Sequence, residues 1–186
     1  MENKVRCAWC EKDDLYRDYH DNEWGNPVYD DETIFEFLVL ETFQAGLSWY
    51  TILKKRENFR KAFDHFDYKK IVKYDEDKIQ ELLEDGGIIR NKLKVRGTVS
   101  NAIAFMKVQE EFGSFSKYIW GFTGGKPIDN QPKVLRDIQA TTEISDALSK
   151  DLKKRGFKFV GSTVVYAHMQ ATGMVNDHVE TCWRRK

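Results

Sequence analysis

DETIFEFLVLETFQ, residues 31–44, reads as a helix with almost no wet face. Ile34, Phe35, Phe37, Leu38, Val39, Leu40 and Phe43 point in nearly every direction around its axis, which marks a central, buried element. Asp30 or Asp31 can cap its start, and Gly46 can end it. Inside this apolar run sits Glu41. A lone carboxylate in such surroundings costs several kcal/mol, so it must be paired, placed at a helix edge, or kept for a ligand.

The flanking chain continues in helices. Ser48 can cap WYTILKKRENFRKAF, Asp75 opens a short helix through Leu83, and Gly86-Gly87 stops it. A long segment follows from Arg90 to Phe112, with Val95, Val99, Ile103 and Met106 at helical spacing. Residues 123–133, TGGKPIDNQPK, read as loop. Glu143 to Lys154 returns to helix and ends at Gly156. In STVVYAHMQAT, residues 162–172, early β-branched residues compete with Ala, Met and Gln, and the latter favour helix. The fold expected is all-α.

With 186 residues, the chain is expected to form one domain over 1–186, or two small helical lobes sharing a core. A hydrophobic content of 41% fits a globular protein, and no apolar run is long enough to span a membrane. The N-terminus lacks a signal-peptide core, so a cytoplasmic location is expected. Thirty basic and 30 acidic residues cancel, which argues against charge-dominated nucleic-acid binding but leaves room for a local basic face.

The three cysteines do not make a secreted disulfide scaffold; metal binding in a reducing compartment fits better. Cys7 and His20 lie near one end, His178 and Cys182 near the other. The second pair is spaced i, i+4, which on a helix places both side chains on one face. Together they would complete a closed Cys2His2 zinc site tying the termini. Cys10 forms a C-x2-C pair with Cys7, which makes five plausible ligands for four positions.

Trp9, Tyr16, Tyr19, Trp24, Trp49 and Tyr50 crowd into the first fifty residues, interleaved with polar ones as in LYRDYHDNEWG. Any single one of them can be ordinary core. As a set, aromatic faces with a few polar handles suit a planar or cationic ring. Glu41 would then accept hydrogen bonds from the ring's N–H groups.

Long strings carry a resemblance. CAW (7–9), YHDNEWG (19–25), LETFQAGLSW (40–49), KKRENFRKAF (54–63), DALSKDLKKRGFKFVGSTVVYAHMQATGMVNDH (146–178) and the closing HVETC resemble the DNA-3-methyladenine glycosylase I (Tag) family. The match runs from Cys7 to Cys182. It implies a helix-hairpin-helix glycosylase fold with one structural zinc on Cys7, His20, His178 and Cys182, leaving Cys10 out. It also implies a base pocket of Trp9, Tyr16, Tyr19, Trp24, Glu41 and Trp49, with Glu41 and Tyr19 closest to the chemistry.

GIIRNKLKV (87–95) resembles a segment of related glycosylases, and RGFKFVG (155–161) stands where the DNA-gripping hairpin is expected. Lys158 and Gly161 are candidate contacts there, since backbone N–H groups at a helix start bind phosphate without a charged side chain. Leu47 is a candidate wedge for the space a flipped nucleotide leaves, supported by Gln44 and Gly46. Asp177 is either a counterpart of the acid found after the hairpin in other glycosylases or an orienting partner of His178.

The implied partner is double-stranded DNA containing alkylated adenine, and the implied product is free 3-methyladenine. The enzyme is expected to act as a monomer, without strand cleavage. A zinc-stabilised binding module would have no need of Glu41, and a zinc hydrolase would need an open metal position that four protein ligands do not leave.

Overall fold

The structure is a computed structural model that describes residues 4–185; the ends of the expected 1–186 domain, residues 1–3 and 186, lie outside the described residues. The first helices are α1 (Asp14–Asn22), α2 (Asp31–Gln44), α3 (Trp49–Ala62), α4 (Tyr68–Ile71) and α5 (Glu76–Glu84). They are followed by α6 (Lys92–Phe112), α7 (Phe115–Gly121), α8 (Glu143–Lys154) and α9 (Ser162–Ala171). Short polar side chains fix most starts. Asp13, Asp30, Ser48, Asp75, Asn91, Ser114 and Thr142 each accept from the backbone N–H three residues on. For α4, Asp67 accepts from the N–H two residues on, and only α9 lacks such a cap, since its flanking residue Gly161 offers no side chain for the purpose.

The chain is mostly helical, with one departure from the all-α expectation. Ile128–Asp129 (β1) pairs in parallel with Val175–Asn176 (β2). The pair gives the backbone of the 123–133 loop partners it would otherwise lack where it crosses the C-terminal segment. The segment 162–172 resolves as helix. The long α6 begins at Lys92 rather than Arg90, because Asn91 caps it. Its inward face also differs from expectation: Val95, Thr98, Ala102, Phe105 and Val108 are buried, whereas Ile103 is 43% exposed. Two successive four-residue steps from Val95 drift about 80° around a helix of 3.6 residues per turn, which carries Ile103 off the packed face.

Helix α2 is central, as its composition requires, and packs against α3, α6, α7 and α9. Phe35, Leu38 and Phe43 join the main core with Phe59, Phe63, Phe105 and Phe115. Phe37, on another side, joins a second cluster with Cys7, Tyr19, Trp24, Leu53, Val179 and Cys182. The N- and C-terminal segments meet in this second cluster. Gly173, at φ +68°, permits the meeting, since a Cβ there would lie 2.4 Å from the backbone of Asn26.

Candidate active site and metal centre

A cavity of about 210 Å³ opens between the aromatic cluster and α9. Trp9, Tyr16, Tyr19, Trp24, Glu41, Gln44 and Trp49 line it, so all six residues expected for a base pocket converge. Each comes from a different local device. Trp9 sits in a 3₁₀ turn over 8–10. Tyr16 and Tyr19 ride on α1, started by Asp13, whose other carboxylate oxygen accepts from the Tyr50 hydroxyl. Trp9 meets Tyr16 and Trp24 edge-on, with centroids 4.9 and 5.0 Å apart, and Tyr19 lies 5.4 Å from Trp49. These contacts leave π-faces arranged around the space.

Glu41 is 3% exposed, and its Oε2 has no hydrogen-bond partner among the described residues. The basic group nearest in role, the buried guanidinium of Arg56, is committed instead to Glu36 at 2.6 Å and Glu23 at 2.5 Å. No ion pair therefore accounts for Glu41. Burial alone drives its pKa well above the usual carboxylate range. The Tyr19 hydroxyl is likewise raised well above normal, first by burial and then by Glu41; burial also pushes Tyr16 up to about 12. Both phenols remain proton donors at neutral pH.

A second cavity of about 210 Å³ adjoins the first, shares Glu41, Gln44 and Ala167 with it, and takes in Gly46, Leu47, Thr163 and Val164. Leu47 is 42% exposed. The loop after α2 is held by Lys94, whose Nζ donates to the carbonyls of Phe43 (2.9 Å) and Ala45 (2.7 Å). Lys158 and Gly161 lie in the α8–α9 turn and line neither cavity, but that turn delivers the start of α9 to the second.

Away from these cavities, the side chains of Cys7, His20, His178 and Cys182 are all buried, with their donor atoms within 4.8 Å of one another. Cys182 Sγ lies 3.4 Å from His20 Nε2 and 3.5 Å from His178 Nδ1, and Cys7 Sγ lies 3.8 Å from His178 Nδ1. Ligand bonds of about 2.0–2.3 Å in a tetrahedron imply donor separations of roughly 3.3–3.8 Å, so the donor set fits one metal ion. Hydrogen bonds from Cys7, then His178 and His20, hold Cys182 well below the ordinary thiol range, as a thiolate. His20 Nδ1 bonds Asp21 at 2.8 Å, which leaves Nε2 to face the cluster. Burial tends to raise the Asp21 pKa, but bonds from Arg6, His20 and Trp183 outweigh it and keep the carboxylate charged.

Cys10 stands outside this group. Its thiol bonds the Cys7 carbonyl, and burial pushes it up to about 12. Spacing had left five candidates; the tertiary structure gathers four.

A methyladenine glycosylase family model matches residues 9–185. The chain belongs to the methyladenine glycosylase family. The DNA-3-methyladenine glycosylase 1 of Escherichia coli (strain K12) is 48% identical over 177 residues, covering 95% of each chain. A crystal structure of 3-methyladenine DNA glycosylase I superposes with a TM-score of 0.95 at 47% identity, covering 98% of this chain and all of that one. A tyrosine-to-phenylalanine variant of a 3-methyladenine DNA glycosylase I, in complex with 3-methyladenine, is 37% identical with a TM-score of 0.92, covering 95% of each chain.

In this glycosylase the main cavity also draws on Ile138, Ala167 and Gln170, which sequence reasoning did not single out. Gln170, a polar residue within the apolar run of α9, carried a signal of the kind that exposed Glu41. Ile138 carried none, because its approach depends on the path of the loop before α8. Among the described residues Asp177 makes no side-chain hydrogen bond to His178, and it does not line the main cavity; its carboxylate accepts from Asn130, Tyr166 and Gln170.

Proposed function

We propose that this chain excises 3-methyladenine from alkylated double-stranded DNA, releasing the free base and leaving an abasic site. The observation that carries the reading is Glu41: an unpaired carboxyl group, buried beside a cavity walled by indole and phenol rings. A merely structural acid would have been given a cation or hydrogen-bond donors.

The chemistry follows from the charge on the substrate. Methylation at N3 makes adenine cationic, so the base leaves neutral and needs little acid catalysis. Extraction from the duplex costs a few kcal/mol, least for a damaged base. Once flipped, a cationic ring is favoured by the aromatic faces of Trp9, Tyr16, Trp24 and Trp49. Its positive charge draws the raised Glu41 pKa back down, so Glu41 ionises as it accepts from the exocyclic amine. The Tyr19 hydroxyl donates a further hydrogen bond. Water then attacks the anomeric carbon. Among the described residues no lysine lines the cavity, which supports a hydrolytic enzyme without strand cleavage.

The fold suits DNA in the helix-hairpin-helix manner. The turn between α8 and α9, with Lys158 and Gly161, supplies backbone N–H groups to a phosphate. Gln44, Gly46 and Leu47 enter the duplex, with Leu47 filling the vacated space. Cys7, His20, His178 and Cys182 hold one zinc ion, which acts as a structural tie with no open coordination position. It fixes the segment carrying Trp9 against the C-terminus. Among the described residues no helix is long and apolar enough to cross a membrane. The enzyme works as a cytoplasmic monomer.

Incubation with methylated duplex DNA, with chromatography of the released bases, tests the reading. The wild-type chain should release 3-methyladenine, and Glu41→Gln should do so about tenfold more slowly or worse, the cost of at least 1.4 kcal/mol of lost transition-state stabilisation. Equal rates would remove Glu41 from the mechanism. No release by the wild type would leave a DNA-binding module.

A further inference from the structure

Gln170 projects from α9 into the wall of the main cavity, and its Nε2 donates to Asp177 Oδ2 at 2.8 Å. Asp177 is 2% exposed, and two other groups also donate to it: the Tyr166 hydroxyl to Oδ2 at 2.6 Å and Asn130 Nδ2 to Oδ1 at 2.8 Å. Asn130 also donates to the Tyr166 oxygen at 3.0 Å, which closes a small network behind the cavity. A carboxylate accepts hydrogen bonds and cannot donate them. Asp177 therefore decides which way the Gln170 amide faces. The NH2 group is turned away toward the carboxylate, and the carbonyl Oε1 is left for the cavity. Once Glu41 on the facing helix has ionised against a cationic base, the chamber offers two acceptors on that side.

We propose that Gln170, oriented by Asp177, is a specificity-determining residue that selects purines carrying an amino group at position six and rejects those carrying an oxo group. The inference rests on the base-excision reading and assigns Asp177 a positioning role. Adenine presents an exocyclic N6–H2 donor where guanine presents the O6 acceptor. Two acceptors in the wall can share the two protons of the amine. Against an oxo group they stand oxygen to oxygen, and a buried acceptor left unmatched costs about 1–3 kcal/mol. Asp177→Asn removes the constraint: an amide at that position can donate to Gln170, so the Gln170 amide can turn over and offer its NH2 to an oxo purine.

The test compares the initial release of 3-methyladenine and 3-methylguanine from one methylated duplex preparation by wild type, Asp177→Asn and Gln170→Leu. The rate ratio of adenine to guanine product should fall about tenfold in each variant, the effect of one hydrogen bond of roughly 1.4 kcal/mol. A merely structural role for the network would slow both products in proportion and leave the ratio unchanged; that result overturns the proposal. Binding of the two free bases, followed by quenching of tryptophan fluorescence, gives a readout independent of turnover. Wild-type binding with an unaltered preference in both variants sinks the role of Gln170 alone, whereas a wild type that binds neither base and releases neither sinks the excision reading as well. Gln170→Leu keeps the comparison available if Asp177→Asn does not fold.

Discussion

Asn101 and Lys158 hold each other by two hydrogen bonds across 57 residues of chain: the Lys158 backbone N–H donates to Asn101 Oδ1 at 2.7 Å, and Asn101 Nδ2 donates to the Lys158 carbonyl at 3.1 Å. Asn101 is buried on α6, and Lys158 lies in the exposed turn between α8 and α9. One turn earlier on α6, Gly97 makes room for Phe159, whose ring carbons lie 3.0 Å from where a Cβ would stand. Phe159 itself has φ +58°, an unfavourable conformation for a bulky residue, so the turn keeps its shape because α6 clamps it.

Asn101→Ala should therefore loosen the proposed DNA-gripping turn while leaving the cavity intact. Loss of two hydrogen bonds should lower stability by about 1–3 kcal/mol. Affinity for a duplex containing an abasic site, measured by fluorescence anisotropy, should drop, and affinity for free 3-methyladenine should hold. Unchanged duplex affinity would separate this turn from DNA binding.

Glu41 sets a second expectation. Its pKa is raised by burial, so the folded protein keeps a proton that the unfolded chain loses above the ordinary carboxylate range. The folded state then binds more protons, and stability falls as pH rises from the unfolded pKa through the raised folded one. Glu41→Gln should melt several degrees higher than wild type at pH 8 and close to it at pH 4. Parallel melting curves at both pH values would mean that Glu41 ionises freely.

His168 works in the opposite direction. It is 3% exposed, neither ring nitrogen has a partner among the described residues, and burial lowers its pKa from 6.5 to about 4. Here the unfolded chain binds the extra proton, so the stability contribution is present above pH 6.5 and is lost as pH falls toward 4. A shift of this size corresponds to roughly 3 kcal/mol at its limit. His168→Leu should flatten the acid limb of a denaturant-melt series between those values. An unchanged limb would place the acid sensitivity elsewhere.

For the metal, Cys182→Ser should lose the ion and Cys10→Ser should retain it at one per chain, as read by plasma emission spectroscopy on dialysed protein. Chelation of the wild type should lower its melting temperature, because ligand binding to the folded state alone adds stability. Retention by Cys182→Ser together with loss by Cys10→Ser would reverse the ligand assignment.

The sequence by itself determined the helices that begin after Asp30, Ser48 and Asp75, because capping is settled within four residues. It also marked α2 as central, and it marked Glu41 as anomalous, since a carboxylate inside an apolar run conflicts with burial wherever the helix goes. The interleaved aromatics and the Cys/His spacing were legible as well, and resemblance over long strings narrowed them to a six-residue pocket and four ligands, which the fold brings together. Tertiary structure alone decided the rest. Cys10 and Cys7 are equivalent by spacing, and only the path of the 3₁₀ turn sends one thiol to the histidines and the other to a carbonyl. Ile103 leaves the packed face and Thr98 is buried, because the buried arc of α6 depends on which helices pack against it. Asp177 and Gln170 meet through the bend that follows α9. Local rules fix what a few neighbouring residues do to one another; which distant side chains share a wall depends on packing that no short stretch of chain encodes.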